Sequence, residues 1–183
     1  ITCSFLLKEV FTKEQFNLHS ILIPVAIIKG IKKLLSIDLK IKWPNDIMYQ
    51  DKKLGGVLIE SKASQSTIFN IGVGLNVNEN QIDFPVELQD NSISLKQIKG
   101  HPIQREPLLA FILNELDLLI NTLDIPLLIE SWMDSCNHKD SKIKFTDNKE
   151  SISGIFKYIN DKGQAIINCD NKYIEYNGAI TIV

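Results

Sequence analysis

The chain has 183 residues, 44% hydrophobic and 23% charged, with a formal net charge of −2. That length supports a full hydrophobic core in one domain, or one domain plus a small appendage, and the composition excludes wholesale disorder. A net charge this close to zero argues against a nucleic-acid surface covering the whole chain and leaves room only for a local basic site.

Residues 3–7 read as the end of a buried strand. After a polar connection, Val25, Ile28, Ile31 and Leu35 recur at helical spacing, and Pro24 suits a first turn, which predicts a helix over 24–35. Leu39, Ile41 and Trp43 alternate with Lys40 and Lys42, a strand with one buried face. Asp51-Lys52-Lys53 forms a polar turn before a second strand over 54–62. The third strand has the clearest alternation: Phe69, Ile71, Val73, Leu75 and Val77 share one face, and Asn70, Gly72, Gly74 and Asn76 share the other. The first set should pack on helices. The second is nearly bare of side-chain bulk, so a ligand can lie against the sheet. By period two, Lys42, Gly56 and Leu58 of the neighbouring strands can fall on that same open face.

Residues 81–100 read as a loop region, 107–123 as an amphipathic helix and 127–134 as a shorter one. From about Ser141 the texture changes to short strands at 143–145, 152–159, 165–168, 173–176 and 180–183, with Asn160-Asp161-Lys162-Gly163 as a hairpin turn. This tail has the size of a small SH3-like barrel. Cys3, Cys136 and Cys169 show no metal-ligand spacing and read as free thiols. The longest apolar run, 21–28, is too short to span a bilayer and contains Pro24, so no membrane association is expected.

The chemistry concentrates in Lys42-Trp43-Pro44-Asn45-Asp46 and Lys53-Leu54-Gly55-Gly56-Val57-Leu58. Lys42 is either a ligand contact or a solvated strand residue. Pro44 makes a stiff corner that sets where Asn45 and Asp46 point. Asp46 is either a turn acid or a carboxylate that takes a proton from an incoming amine. Lys53 is either a turn lysine or an ammonium held over a phosphate or carboxylate, with Gly55 and Gly56 admitting the ligand. Asn76 either bonds a polar ligand or its metal, or caps the strand end. Gly72-Val73-Gly74 precedes no helix and is no dinucleotide fingerprint. His19, His101 and His138 lie too far apart for zinc, Ser61 and Ser64 lack a nearby histidine, and 139–149 is a mixed charge run that reads as a solvated loop.

Those two blocks together resemble the signature of biotin protein ligases, also called biotin–acetyl-CoA-carboxylase ligases, and Gly72-Val73-Gly74-Leu75-Asn76 resembles that family's Gly-x-Gly-x-Asn strand. The likeness extends over the whole chain, through the Trp132 helix to Gly178-Ala179-Ile180-Thr181. It implies an α/β fold: a class II aminoacyl-tRNA synthetase-like mixed sheet with helices on one face over residues 1–138, then an SH3-like barrel over 139–183.

The activity it implies has two steps. Biotin and Mg-ATP give biotinyl-adenylate and pyrophosphate, and the acyl group then passes to a lysine of a biotin carboxyl carrier protein, that of acetyl-CoA carboxylase by expectation. By the same resemblance, Lys53 contacts the biotin carboxylate and adenylate phosphate, and Asp46 orients or deprotonates the acceptor lysine. Lys42 is a second phosphate contact, and Asn76 lies near the nucleotide or its Mg2+, which has no direct protein ligands. Trp43, Pro44, Asn45, Gly55, Gly56, Leu58, Gly72 and Gly74 complete the biotin and ATP site. A cytoplasmic location and a homodimer paired through a sheet edge are further expectations. The family's Gly-Arg-Gly-Arg-x-Gly-Arg loop is expected ahead of Ile1, so this chain alone should activate biotin poorly. The alternatives are a lipoate or octanoyl transferase, and a non-catalytic biotin-binding or repressor module; nothing in these residues supports DNA binding.

Overall fold

The alternation at residues 69–77 divides a sheet into a covered face and an open one. The structure is a computed structural model that describes residues 1–8, 10–63, 67–147 and 150–183; Ser64 and Lys149 lie outside the described residues. Strands β1 (Thr2–Lys8), β2 (Lys40–Lys42), β3 (Asp46–Tyr49), β4 (Lys52–Ala63) and β5 (Thr67–Leu75) form one sheet in the order β1-β5-β4-β3-β2. Every strand pairing in it is antiparallel, which corrects the expected mixed sheet. The reason is local: β2 to β5 follow one another through short connections, which only antiparallel neighbours allow.

Two strands differ from expectation. Asp46, weighed as a turn acid, opens β3, whose residues pair on both sides because Ile47 and Met48 are apolar enough to be buried there. β1, read as buried, is an edge strand with strictly alternating exposure, since its outer face looks onto the open side of the sheet.

Helix α1 (Leu18–Leu35) packs on the covered face, and α3 (Arg105–Asn121) packs on α1. Pro24 lies inside α1, not in its first turn. The run Leu18, Ile21, Leu22, Ile23 is buried on all sides, so it shows no amphipathic period to mark the helix start. Packing outweighs the hydrogen bond that Pro24 cannot donate. At Gly30 the helices come so close that a Cβ would sit 2.7 Å from the Ile112 Cα. The Lys33 ammonium meets the buried Glu115 carboxylate at 2.5 Å across this contact.

Residues 81–100, read as loop, hold two 3-10 turns and a short helix, α2 (Leu95–Lys99). Ser94 and Gln97 form a capping box at its start, a signal present in the sequence. Helix α4 (Ile125–Ser135) leads to the second sheet. There β6 (Lys142–Asp147), β7 (Glu150–Ile159), β8 (Ala165–Cys169), β9 (Lys172–Tyr176) and β10 (Ile180–Ile182) pair antiparallel in the order β10-β6-β7-β8-β9. The charge run read as a solvated loop therefore supplies β6. No helix of the described residues is long and apolar enough to cross a membrane.

The two sheets meet at an aromatic cluster. Trp43 stands edge-on to Trp132 at 5.9 Å and tilted to Phe156 at 6.1 Å, and its Nε1 donates to the Gly178 carbonyl at 2.8 Å. His138 is fully buried beside them, edge-on to Phe156 at 4.5 Å. Burial pushes its imidazole down from 6.5 to about 4, with the Lys42 charge as the lesser cause.

The folded chain therefore keeps His138 neutral at pH values where the unfolded chain takes up a proton. This group leaves stability unchanged above about pH 6.5 and lowers it as the pH falls from there towards 4. Urea unfolding at pH 7 and pH 4.5 should show a loss of about 2–3 kcal/mol from this source. His138→Gln should flatten that dependence. An unchanged slope in the variant would assign the loss to other groups.

Candidate active site

Directly opposed residues in an antiparallel sheet share a face, so the register lines up the open side. One row runs Lys42, Asp46, Gly56, Gly74, Thr2 across all five strands. The next holds Leu58, Gly72 and Ser4. Above them lies a cavity of about 420 Å³ lined by Thr2, Cys3, Ser4, Asn45, Asp46, Lys53, Gly56, Val57, Leu58, Gly72, Val73 and Gly74.

Lys53 reaches this cavity through a β-bulge. The register of β3 against β4 shifts between Ile47 and Met48, so Gly55 faces Ile47 while Lys53 faces Met48. Plain alternation from Gly56 would put Leu54 on the open face. The bulge instead buries Leu54 completely and turns Lys53 outward, the re-aiming that bulges provide. The Lys53 ammonium then meets the Asp46 carboxylate at 2.5 Å, with the two side chains 48% and 29% exposed.

The glycines divide by role. A Cβ at Gly74 would meet nothing within 4 Å, and one at Gly72 would meet only Leu58, at 3.7 Å; these two form the open floor. A Cβ at Gly56 would stand 3.1 Å from Asp46 Oδ1 and 3.4 Å from Lys53 Nζ, crowding the ion pair. Gly55 is different. A Cβ there would lie 2.5 Å from the Gly74 carbonyl oxygen, so this glycine serves strand packing and does not line the cavity.

Other expected site residues act from behind. Trp43 is 2% exposed in the aromatic cluster, and neither it nor Pro44, joined to it by a cis peptide bond, lines the cavity. The Asn45 side-chain amide donates to the Val57 carbonyl, and the Val57 amide donates to the Asn45 carbonyl at 3.2 Å, which ties the corner to β4. Lys42 faces Asp46 across the register but stays outside the cavity lining. The Asn76 side-chain amide donates to the Ile93 carbonyl at 3.2 Å and the Lys53 carbonyl at 3.4 Å, bracing the strand that carries Lys53.

Thr2, Cys3 and Ser4 line the cavity and were not singled out from sequence. The alternation of Thr2, Ser4, Leu6 and Lys8 on β1 was the available signal. Of the histidines, His19 stacks on Phe69 at 3.8 Å, His101 is exposed and His138 lies in the junction. Among the described residues no group of three or more His, Cys, Asp or Glu could hold a metal ion. The arrangement offers one ammonium and one carboxylate at the end of a glycine-floored groove. It can hold an anionic group at Lys53 and place a proton acceptor beside it.

Comparison with known proteins bears on what such a groove serves. Residues 1–78 match the model of the biotin/lipoate A/B protein ligase family. The bifunctional ligase/repressor BirA of Bacillus subtilis is 41% identical over 112 residues, 60% of this chain and 34% of that protein. BirA of Escherichia coli is 25% identical over 156 residues, 82% of this chain and 48% of that protein. The chain thus spans half or less of the length of these curated relatives. The biotin protein ligase of Aquifex aeolicus in complex with biotin and ATP shares the fold at a TM-score of 0.82 and 22% identity, covering 100% of this chain and 78% of that one. With two antiparallel sheets and few helices the chain shares the fold of that ligase, and its sequence is similar to the biotin/lipoate A/B protein ligase family over residues 1–78 and to the BirA proteins over the stretches given above.

Proposed function

We propose that this chain belongs to an ATP-dependent ligase that makes biotinyl-adenylate from biotin and ATP, releasing pyrophosphate, and passes the biotinyl group to a lysine of a carrier protein. The observation that carries this reading is the Lys53–Asp46 pair at the end of the open glycine groove, 2.5 Å apart, in a chain similar to the human biotin–protein ligase.

In this reading biotin lies over Gly72 and Gly74 with Leu58, 63% exposed, as an apolar contact. Lys53 opposes the negative charge of the biotin carboxylate and then of the adenylate phosphate, where a charge held in place is worth most. Asp46 orients the acceptor lysine and takes its proton. Lys42, in register with Asp46, is a second contact for the phosphates. Asn76 holds Lys53 in place from the backbone side, and Trp43, Pro44, Asn45 and Gly55 shape the corner. Mg2+ enters on the phosphates of ATP, as part of the substrate.

The finer assignments belong to the same proposal. Residues 1–138 form the catalytic domain, class II synthetase-like in its sheet, and 139–183 an SH3-like barrel. The carrier is a biotin carboxyl carrier protein of the acetyl-CoA carboxylase kind, the location is cytoplasmic, and a homodimer pairs through a sheet edge.

Biotin-dependent pyrophosphate release from Mg-ATP should appear with a version of the chain that carries the expected Gly-Arg-Gly-Arg-x-Gly-Arg loop and be weak with residues 1–183 alone. Lipoate should give none; release with lipoate and not with biotin would overturn the reading. Lys53→Ala should slow pyrophosphate release by about 100-fold, and a normal rate would remove Lys53 from the reaction. Asp46→Ala should leave adenylate formation largely intact and slow transfer to the carrier by about 100-fold. Equal loss in both steps would make Asp46 structural.

A further inference from the structure

We infer that Tyr176, on the second sheet, is a positioning residue for Asp46, acting through the 177–179 turn whose Gly178 carbonyl holds the Trp43 indole. This rests on the ligase reading and extends its transfer step to a residue that does not line the cavity. Asp46 stands at one foot of a tight hairpin. Lys42 pairs with Asp46 across β2 and β3, so Trp43, Pro44 and Asn45 form the tip between them. The tip is tied on two sides. On one, Asn45 is bound to Val57 of β4. On the other, the buried Trp43 ring packs against Trp132 and Phe156, and its Nε1 donates to the Gly178 carbonyl at 2.8 Å. A buried indole N–H that lost its acceptor would be costly, so Trp43 follows that carbonyl.

Gly178 sits in the turn that joins β9 to β10, the two edges of the second sheet. Tyr176 pins that turn. Its hydroxyl is shared between the Ala179 carbonyl, at the far end of the turn, and the Thr146 carbonyl of β6, each at 3.2 Å. Its ring packs on Phe145, with centroids 4.7 Å apart. Gly178 has no side chain because the tyrosine takes that space. A Cβ there would lie 2.6 Å from Tyr176 Cζ and collide with the hydroxyl oxygen. The carbonyl that accepts from Trp43 is therefore the chain neighbour of the carbonyl that Tyr176 holds.

Lys53 has no share in this chain of contacts. Its strand is braced elsewhere, by the Ile93 amide and the Asn76 side chain on the Lys53 carbonyl. A shift of the 177–179 turn thus moves the hairpin tip and the carboxylate that follows it, and leaves the ammonium in place. The two charged groups of the site are held by different parts of the fold, so a change at Tyr176 separates the step assigned to Asp46 from the step assigned to Lys53.

Measuring the two half-reactions apart distinguishes this role from plain support of the fold. In the loop-bearing version of the chain, Tyr176→Phe keeps the ring and removes the hydroxyl. Transfer from supplied biotinyl-5′-AMP to the carrier should slow by roughly 10-fold, since a small misplacement of a reacting group is costly. Biotin-dependent pyrophosphate release should be unchanged. Gly178→Ala, which pushes the ring aside, should give the same split. The effect must also run through the carboxylate: in an Asp46→Ala background, Tyr176→Phe should slow transfer no further. Unchanged transfer in Tyr176→Phe, the same slowing in the Asp46→Ala background, or equal loss in both half-reactions would each overturn the inference and leave the ligase reading intact. If the parent released no pyrophosphate with biotin, the ligase reading itself would fall, and this inference with it.

Discussion

Between Ile47 and Met48 the pairing of β3 with β4 slips by one residue, and the candidate site depends on that slip. Without it, strict alternation would bury Lys53 among the residues under the sheet and expose Leu54, which is now fully buried. Burying a leucine side chain contributes about 2 kcal/mol, and an unpaired lysine in the core costs several more. The bulge therefore has a strong thermodynamic reason to stay where it is. Its disturbed backbone is braced from the other side, where the Ile93 amide donates to the Lys53 carbonyl at 3.0 Å and the Asn76 side chain adds a second bond. The geometry of the candidate site is a by-product of core packing.

The other half of the ion pair is held by a different device. Asp46 follows a corner whose indole, Trp43, is fixed by Trp132, Phe156 and the Gly178 carbonyl. Two of those three contacts come from the second sheet and the strand connection at its end. The Asn137 amide also donates to the Ile41 carbonyl at 3.2 Å, closing the edge of the first sheet. The second sheet thus stabilises the position of Asp46 without touching the cavity.

How much of this could be read from residues alone follows from the period of each segment. The open face of β5 was legible because Asn70, Gly72 and Gly74 alternate with large apolar residues. The placement of Gly56 and Leu58 on that face followed by the same rule and agrees with the register. Lys53 did not follow, since a bulge breaks period two and no single residue announces it. Trp43 and Gly55 were grouped with the ligand contacts by their neighbours in sequence; only the structure separates a buried anchor and a packing glycine from the cavity wall. The start of α1 was hidden for the opposite reason. A helix buried on every side has no amphipathic stripe to count.

The groove combines a fixed backbone floor with two partly exposed charged side chains. Its floor is backbone, fixed by ladder hydrogen bonds on both sides of β4 and β5, and a glycine floor has no side chains to rearrange. Around it, Asn45 is tied to β4 and Asn76 to the 92–93 segment. Against this frame the Lys53 and Asp46 side chains stand partly exposed, joined to each other by an ion pair of the kind that contributes at most about 1 kcal/mol. An interaction that weak cannot hold the fold together, and the fold does not need it. A contact of that size can exchange partners at low cost, which the backbone ladder beneath it cannot.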